Sequence, residues 1–112
     1  MIRLPNGKTE VSLQVEGLAP DTTYPAHIHT LSCEEGGGQH YKIDPEDEDT
    51  YKSNEIWPTI ETDEKGVGKT DIRVRHWARS DAQSLIIHDP QDKSRIICAD
   101  IFLVDTQLTD GF

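Results

Sequence analysis

The chain has 112 residues, of which 34% are hydrophobic, and its formal net charge is −10. This length allows one domain with a modest core, so residues 1–112 are expected to form a single unit. The negative charge argues against nucleic acid and anionic membrane surfaces as partners. No apolar run approaches the roughly 18 residues that a membrane-spanning helix needs, so membrane insertion is not expected.

Alternation of polar and apolar residues predicts strands in the first part of the chain. Residues 10–16 alternate strictly, which indicates a strand with one buried face. The turn sequence at residues 5–7 predicts that residues 1–4 pair back as a short strand. A second turn at residues 19–21 leads into a strand that carries residues 26–29.

The middle of the chain is irregular and acidic. Residues 31–54 contain three consecutive glycines and an acidic run at residues 44–49. Loops of this length are usually functional or disordered. The acidic run is interpreted as a solvated loop, because it matches no EF-hand spacing for calcium.

Strand patterns resume in the second half of the chain. They predict strands at residues 56–62, 70–75, 84–88 and 95–104, with a hairpin turn at 63–66 and a loop or single helical turn at 77–82. No segment has a sustained helical period. We therefore predict an all-β domain of six to eight strands, either a sandwich or a flattened barrel.

Four of the five histidines are arranged for metal binding. His27 and His29 occupy alternate positions of one strand and so share a face, His40 follows the glycines, and His88 ends a hydrophobic strand. Burying imidazoles without partners is costly, so a ligand or hydrogen bonds must compensate. Four imidazoles without thiolate or carboxylate favour Cu(II), with Zn(II) second. The fifth, His76, is interpreted as a surface or supporting residue.

The two cysteines, Cys33 and Cys98, have no C-x-x-C spacing. An even number of cysteines suits a structural disulfide in an oxidising compartment, and two buried free thiols in a cytosolic protein are the alternative. If the two cysteines pair, they close a loop of about 65 residues, which the chain-entropy treatment values at about 4 kcal/mol.

Five motifs, in chain order, resemble the Cu/Zn superoxide dismutase superfamily. They are Gly17-Leu18 leading to His27-Ile28-His29, then Gly38-Gln39-His40-Tyr41, Asp63-Glu64-Lys65-Gly66-Val67, Leu85-Ile86-Ile87-His88-Asp89 and Ser94-Arg95-Ile96-Ile97-Cys98. The match extends from about residue 9 to residue 101. It implies the Greek-key β-sandwich of that superfamily for this chain.

The resemblance also implies roles for individual residues. The copper ligands would be His27, His29, His40 and His88. Among them, His40 would be the histidine that bridges copper and zinc in the bimetallic enzymes. Cys33 and Cys98 would form the family disulfide, and Arg95 would meet the superoxide anion beside copper. Without the resemblance, Arg95 is most simply a surface arginine of an acidic protein.

The chain departs from the bimetallic enzymes in two places. Ser53 and Ile56 stand where a zinc-binding histidine and aspartate are expected, so we expect copper without zinc. Only nine residues separate His88 from Cys98, which leaves no room for the long charged loop over the copper. The first hairpin is also short or missing. These differences resemble the copper-only superoxide dismutases, the branch of the superfamily that lacks zinc.

The expected reaction is therefore dismutation of superoxide at a mononuclear copper site. Without zinc, another group must hold the far nitrogen of His40, because ligating histidines nearly always have such a partner. We predict Glu55 for this role, with Asp44 or Glu35 as fallback; the competing interpretation of Glu55 is a solvated loop acid. The predicted catalytic set is Arg95, His40 and Glu55, and Trp57 is interpreted as a core or rim aromatic.

Two other functions remain open at this point. A copper-storage or copper-delivery protein would keep the histidines but need not keep Arg95, and a non-enzymatic extracellular module would need neither. We expect an extracellular or periplasmic location, with any leader removed or part of a larger precursor. Superoxide is the expected partner, and the oligomeric state is left open, with a monomer compatible.

Overall fold

The computed structural model describes residues 1–48 and 53–105 as an all-β globule with several sheets. These residues form nine strands and no helix. The strands are β1 (Ile2–Arg3), β2 (Thr9–Val15), β3 (Thr23–Tyr24), β4 (Ala26–His29), β5 (Ile60–Glu61), β6 (Gly68–Val74), β7 (Ser84–His88), β8 (Arg95–Asp100) and β9 (Val104–Asp105). Within these two ranges, no helix has the length and apolar character needed to cross a membrane.

The first sheet forms around the alternating segment β2 and has the strand order β6-β2-β1-β9. β2 pairs antiparallel with β6 along its whole length, and β1 folds back on it antiparallel, as the turn at residues 5–7 predicts. Gly7 adopts a φ of 82° in that turn, a conformation that glycine reaches without steric cost. β9 pairs parallel with β1 and forms one edge of the sheet.

The second sheet carries the histidines and has the strand order β4-β7-β8, all antiparallel. Every residue of its central strand β7 is buried, which matches the continuous apolar run in the sequence. β3 and β5 form a further two-stranded sheet. The fully buried side chains include Val11 from the first sheet, Ile28 and Ile87 from the second, and Tyr41 and Ile56 from the long loop. Each buried aliphatic side chain contributes about 1.5–3 kcal/mol.

A disulfide between Cys33 and Cys98 joins the loop after β4 to the edge strand β8. The Cys33 backbone N–H also donates to Oδ1 of Asp100 at 2.8 Å, so two contacts hold this loop against β8. The pairing is confirmed, and it is consistent with an oxidising, extracellular compartment.

Two predicted strands differ from the structure. Of residues 56–62, only Ile60 and Glu61 are in a strand, because Pro58 has no N–H to donate and the chain turns around it, with the Thr59 N–H donating to the Trp57 carbonyl at 2.8 Å. The predicted strand 95–104 is divided into two. β8 ends at Asp100, and β9 pairs with β1 in the first sheet. The described residues therefore form nine strands rather than the predicted six to eight. In the acidic run, the described residues 44–48 are exposed, and residue 49 lies outside the described ranges.

Candidate metal centre

Strand pairing brings three of the four histidines to one face of the second sheet. His27 and His29 alternate along β4, and the antiparallel register with β7 places the side chain of His88 on the same face. The residues that alternate with these histidines along the two strands, such as Ile28 on β4 and Ile87 on β7, point to the core on the opposite face. A short bridge between His29 and His40 brings the loop histidine to the same place.

The four imidazole rings are tightly clustered. Their centroid separations extend from 4.0 Å, for the stacked pair His27 and His40, to 6.2 Å for His27 and His29. One potential ligand atom from each ring lies within 4.8 Å of all the others. The group His27, His29, His40 and His88 could therefore hold a metal ion.

The hydrogen bonds of the rings show which nitrogens are free to bind. Nδ1 of His29 lies 3.1 Å from the Gly38 carbonyl, and Nδ1 of His88 lies 3.0 Å from the Lys93 carbonyl. Because a carbonyl only accepts, these Nδ1 atoms carry the protons and the Nε2 atoms have free lone pairs. Nε2 of His29, Nε2 of His88 and Nδ1 of His27 are buried and have no hydrogen-bond partner among the described residues. Buried polar atoms without partners are rare, and a bound cation would satisfy these three.

Burial also keeps three of the rings in the neutral form that binds metals. Desolvation, together with repulsion from the neighbouring imidazoles, lowers the pKa of His27 to about 3. Desolvation lowers the pKa of His29 to about 4, and it lowers the pKa of His88 as well. Neutral imidazole is the ligand form, so near neutral pH a metal ion would displace few protons. An all-imidazole donor set fits copper or zinc.

The loop histidine His40 is oriented by a buried carboxylate. Its Nδ1 lies 2.9 Å from Oε1 of Glu55, a side chain that is 1% exposed. Because Nδ1 is used in this hydrogen bond, Nε2 is the nitrogen available to the histidine cluster. The hydrogen bond that we predicted between these two residues is present. The fallback residues Glu35 and Asp44 are exposed. Of the two residues at the expected zinc-ligand positions, Ile56 packs in the core and Ser53 is exposed.

Trp57 is a part of the site that the sequence analysis missed. Its indole N–H donates to Oε1 of Glu55 at 2.8 Å, and its ring meets that of His27 edge-on at 5.6 Å. The residue therefore contacts one potential ligand directly and a second one through Glu55. The signal for it in the sequence was the two-residue spacing between Glu55 and Trp57.

Arg95 is tied to the histidine cluster through the glycine-rich loop. Its guanidinium donates to the carbonyls of Gly36 and Gly38, at 2.8 Å for the latter, and the Gly38 carbonyl also accepts from His29. Gly37 adopts a φ of 84°, and a Cβ there would lie 2.3 Å from Cδ1 of Ile86. Glycine is thus required where the loop passes β7. Arg95 itself is exposed, so its cation faces solvent beside the cluster.

His76 supports the loop next to the cluster and is not a member of it. Its Nε2 lies 2.5 Å from the Tyr41 hydroxyl, which also accepts the backbone N–H of Arg79 at 2.9 Å. The Arg79 guanidinium lies 4.5 Å from the centroid of the Tyr41 ring. Because Tyr41 follows His40 directly, these contacts hold the backbone that positions His40.

Comparison of the chain with models of known protein families, with curated proteins and with solved structures gives no match.

Proposed function

We propose that this chain is a copper-dependent superoxide dismutase without zinc, with the Greek-key sandwich that its motifs imply. The observation that carries the proposal is the set of three buried, unpartnered imidazole nitrogens converging with His40, whose far nitrogen meets a carboxylate. Bound there, copper would supply one-electron redox chemistry by alternating between Cu(II) and Cu(I). Two superoxide anions and two protons would give one dioxygen and one hydrogen peroxide.

Arg95 would attract and orient the anion. The chain carries a net charge of −10, so a local cation is needed to offset the repulsion of an anionic substrate. The two carbonyls that hold the guanidinium place this cation next to His29 and still leave it exposed. This position supports a role for Arg95 as a positive group beside the proposed copper site.

His40 would carry a proton for the reaction, and Glu55 would orient its ring. Nδ1 of His40 keeps its hydrogen bond to Glu55, so Nε2 can either bind the metal or hold a proton without rotation of the ring. Burial of Glu55 fixes that orientation through the cycle. A carboxylate in this place would take over the positioning role that zinc has in the bimetallic enzymes that the motifs resemble.

The decisive test is superoxide decay followed by stopped flow on copper-loaded protein, with chelator present to remove free copper. We expect catalysis by the wild type and a loss of about ten-fold, equivalent to about 1.4 kcal/mol, in Arg95→Ala. Arg95→Lys should recover part of the rate. Lys69→Ala, which removes an exposed cation from β6, is the matched control. Tight copper binding without superoxide decay would reject dismutation and favour copper storage or delivery instead.

A further inference from the structure

We propose that an open cleft on the outer side of His27 binds a small planar aromatic carboxylate. The cleft has a volume of about 510 Å³, within the usual range for small-molecule sites. Its walls include Pro25, Pro90 and the ring of Trp57, and its polar groups come from His27, Thr59 and Lys93. Rigid apolar walls with a few polar groups are the usual composition of such sites.

His27 offers the cleft a hydrogen-bond donor. Its Nδ1 is buried, whereas Nε2 has no hydrogen-bond partner among the described residues and is not a buried atom. The neutral imidazole has one N–H, and the tautomer with the proton on Nε2 presents a donor to the cleft. Because His27 lines the cleft, this N–H can donate to an oxygen of a ligand there.

Lys93 and Trp57 define the chemistry of that ligand. The Lys93 ammonium is held at the cleft by the Pro90 carbonyl at 3.0 Å, so the site presents a positive charge in a chain of net charge −10. The indole N–H of Trp57 is already used on Glu55, and its ring is left to pack against a second flat ring. A planar ring bearing one carboxylate matches both features.

The cleft is coupled to three of the four histidines. His27 lines it directly, Trp57 reaches His40 through Glu55, and the Lys93 carbonyl accepts Nδ1–H of His88. A bound ligand should therefore perturb a metal in the site without touching it. Arg95 is not part of the lining, so the ligand need not displace a small anion beside that arginine.

The test is a titration of metal-free protein with benzoate, followed by two-dimensional NMR and by Trp57 fluorescence in a Trp77→Phe background. We expect saturable binding with a Kd of about 1–10 mM and shifts centred on His27, Thr59 and Lys93. Benzamide, which lacks the charge, and cyclohexanecarboxylate, which lacks the flat ring, should bind more weakly. Lys93→Met should weaken benzoate about two- to five-fold, while Lys69→Met should not.

A second variant keeps the test decisive. Thr59→Trp fills the cleft from an exposed position and should abolish benzoate binding without unfolding the protein. Benzoate shifts confined to Arg95 and Gly38, or binding indifferent to both variants, would overturn the proposal. In copper-loaded protein, benzoate should shift the electron paramagnetic resonance spectrum of copper without competing with azide. The benzoate titration of metal-free protein does not depend on dismutation. A catalytically inactive protein that binds benzoate would therefore refute only the proposed function.

Discussion

The indole nitrogen of Trp57 lies 2.8 Å from Oε1 of Glu55, the same oxygen that faces Nδ1 of His40. Two donors on one oxygen of a buried carboxylate restrict its rotation, because any turn of the side chain breaks both bonds. Oε2 of Glu55 is buried without a partner among the described residues. The orientation of His40 therefore depends on Trp57 as well as on Glu55.

Replacing Trp57 with phenylalanine removes this N–H and keeps a flat ring. We expect copper to remain bound and turnover to fall about five-fold, which corresponds to the loss of about 1 kcal/mol from one hydrogen bond. The measurement is superoxide decay together with copper stoichiometry. Trp77→Phe is the control, because Trp77 is 48% exposed and contacts Arg3 rather than the site. Equal rates in the two variants would refute a positioning role for Trp57.

Replacing Glu55 with alanine removes the partner of His40 itself. Copper binding should be largely retained, while turnover should fall about 10- to 100-fold, as for other residues that orient a ligand. The loss should be greatest at high pH, where protons are scarce and a correctly oriented His40 is needed most. Rates measured from pH 6 to 10 test this, with Glu61→Ala on the exposed side of β5 as control. Turnover that does not change with this substitution at any pH would remove Glu55 from the mechanism.

Ionic strength should have only a weak effect on the rate. The net charge of −10 repels superoxide at long range, whereas Arg95 attracts it close to the site, and salt screens both effects over about 8 Å at physiological strength. The two changes oppose each other. Second-order rate constants from 10 to 300 mM salt provide the measurement. A steep fall with salt would show that long-range attraction, rather than the local cation, delivers the anion.

Loss of the disulfide should destabilise the fold and loosen the site. Cys33 and Cys98 are 65 residues apart, and such a link contributes about 4 kcal/mol in the chain-entropy treatment. The double variant Cys33→Ser, Cys98→Ser should show this loss in urea unfolding. Copper affinity should fall as well, because the same link holds the loop that carries Gly38 and His40. A double variant as stable as the wild type would contradict the expected contribution.

Metal-free protein should lose stability as the pH falls from about 6.5 toward 4. The folded-state pKa values of His27 and His29 are about 3 and about 4, below the ordinary value of 6.5. In this interval the unfolded chain binds protons that the folded chain does not, so the free energy of unfolding decreases with falling pH. Urea midpoints at pH 7 and pH 5 measure the change, since most carboxylates stay ionised between them.

The double variant His27→Gln, His29→Gln provides the comparison for this pH effect. It should be less sensitive to the same change of pH, because two of the groups that take up protons on unfolding are gone. The same pH dependence in both proteins would show that other groups cause the loss of stability.

Local patterns in the sequence determined the all-β class and most of the candidate site. Alternation at residues 10–16 predicts β2, and the apolar run before His88 predicts the buried strand β7. The spacing of His27 and His29 is enough to place both on one face, because side chains alternate along a strand. These features depend on neighbouring residues, which a sequence displays directly.

Tertiary structure decided the contacts that no local pattern in the chain predicts. The nitrogens left free on His29 and His88 depend on the carbonyls of Gly38 and Lys93, and only the folded backbone brings those within reach. The role of Trp57 arises in the same way, from one buried carboxylate. The division of the last predicted strand follows from pairing between β9 and β1 at opposite ends of the chain. Hydrogen bonds between such segments depend on three-dimensional proximity, which a periodic pattern along the chain does not encode.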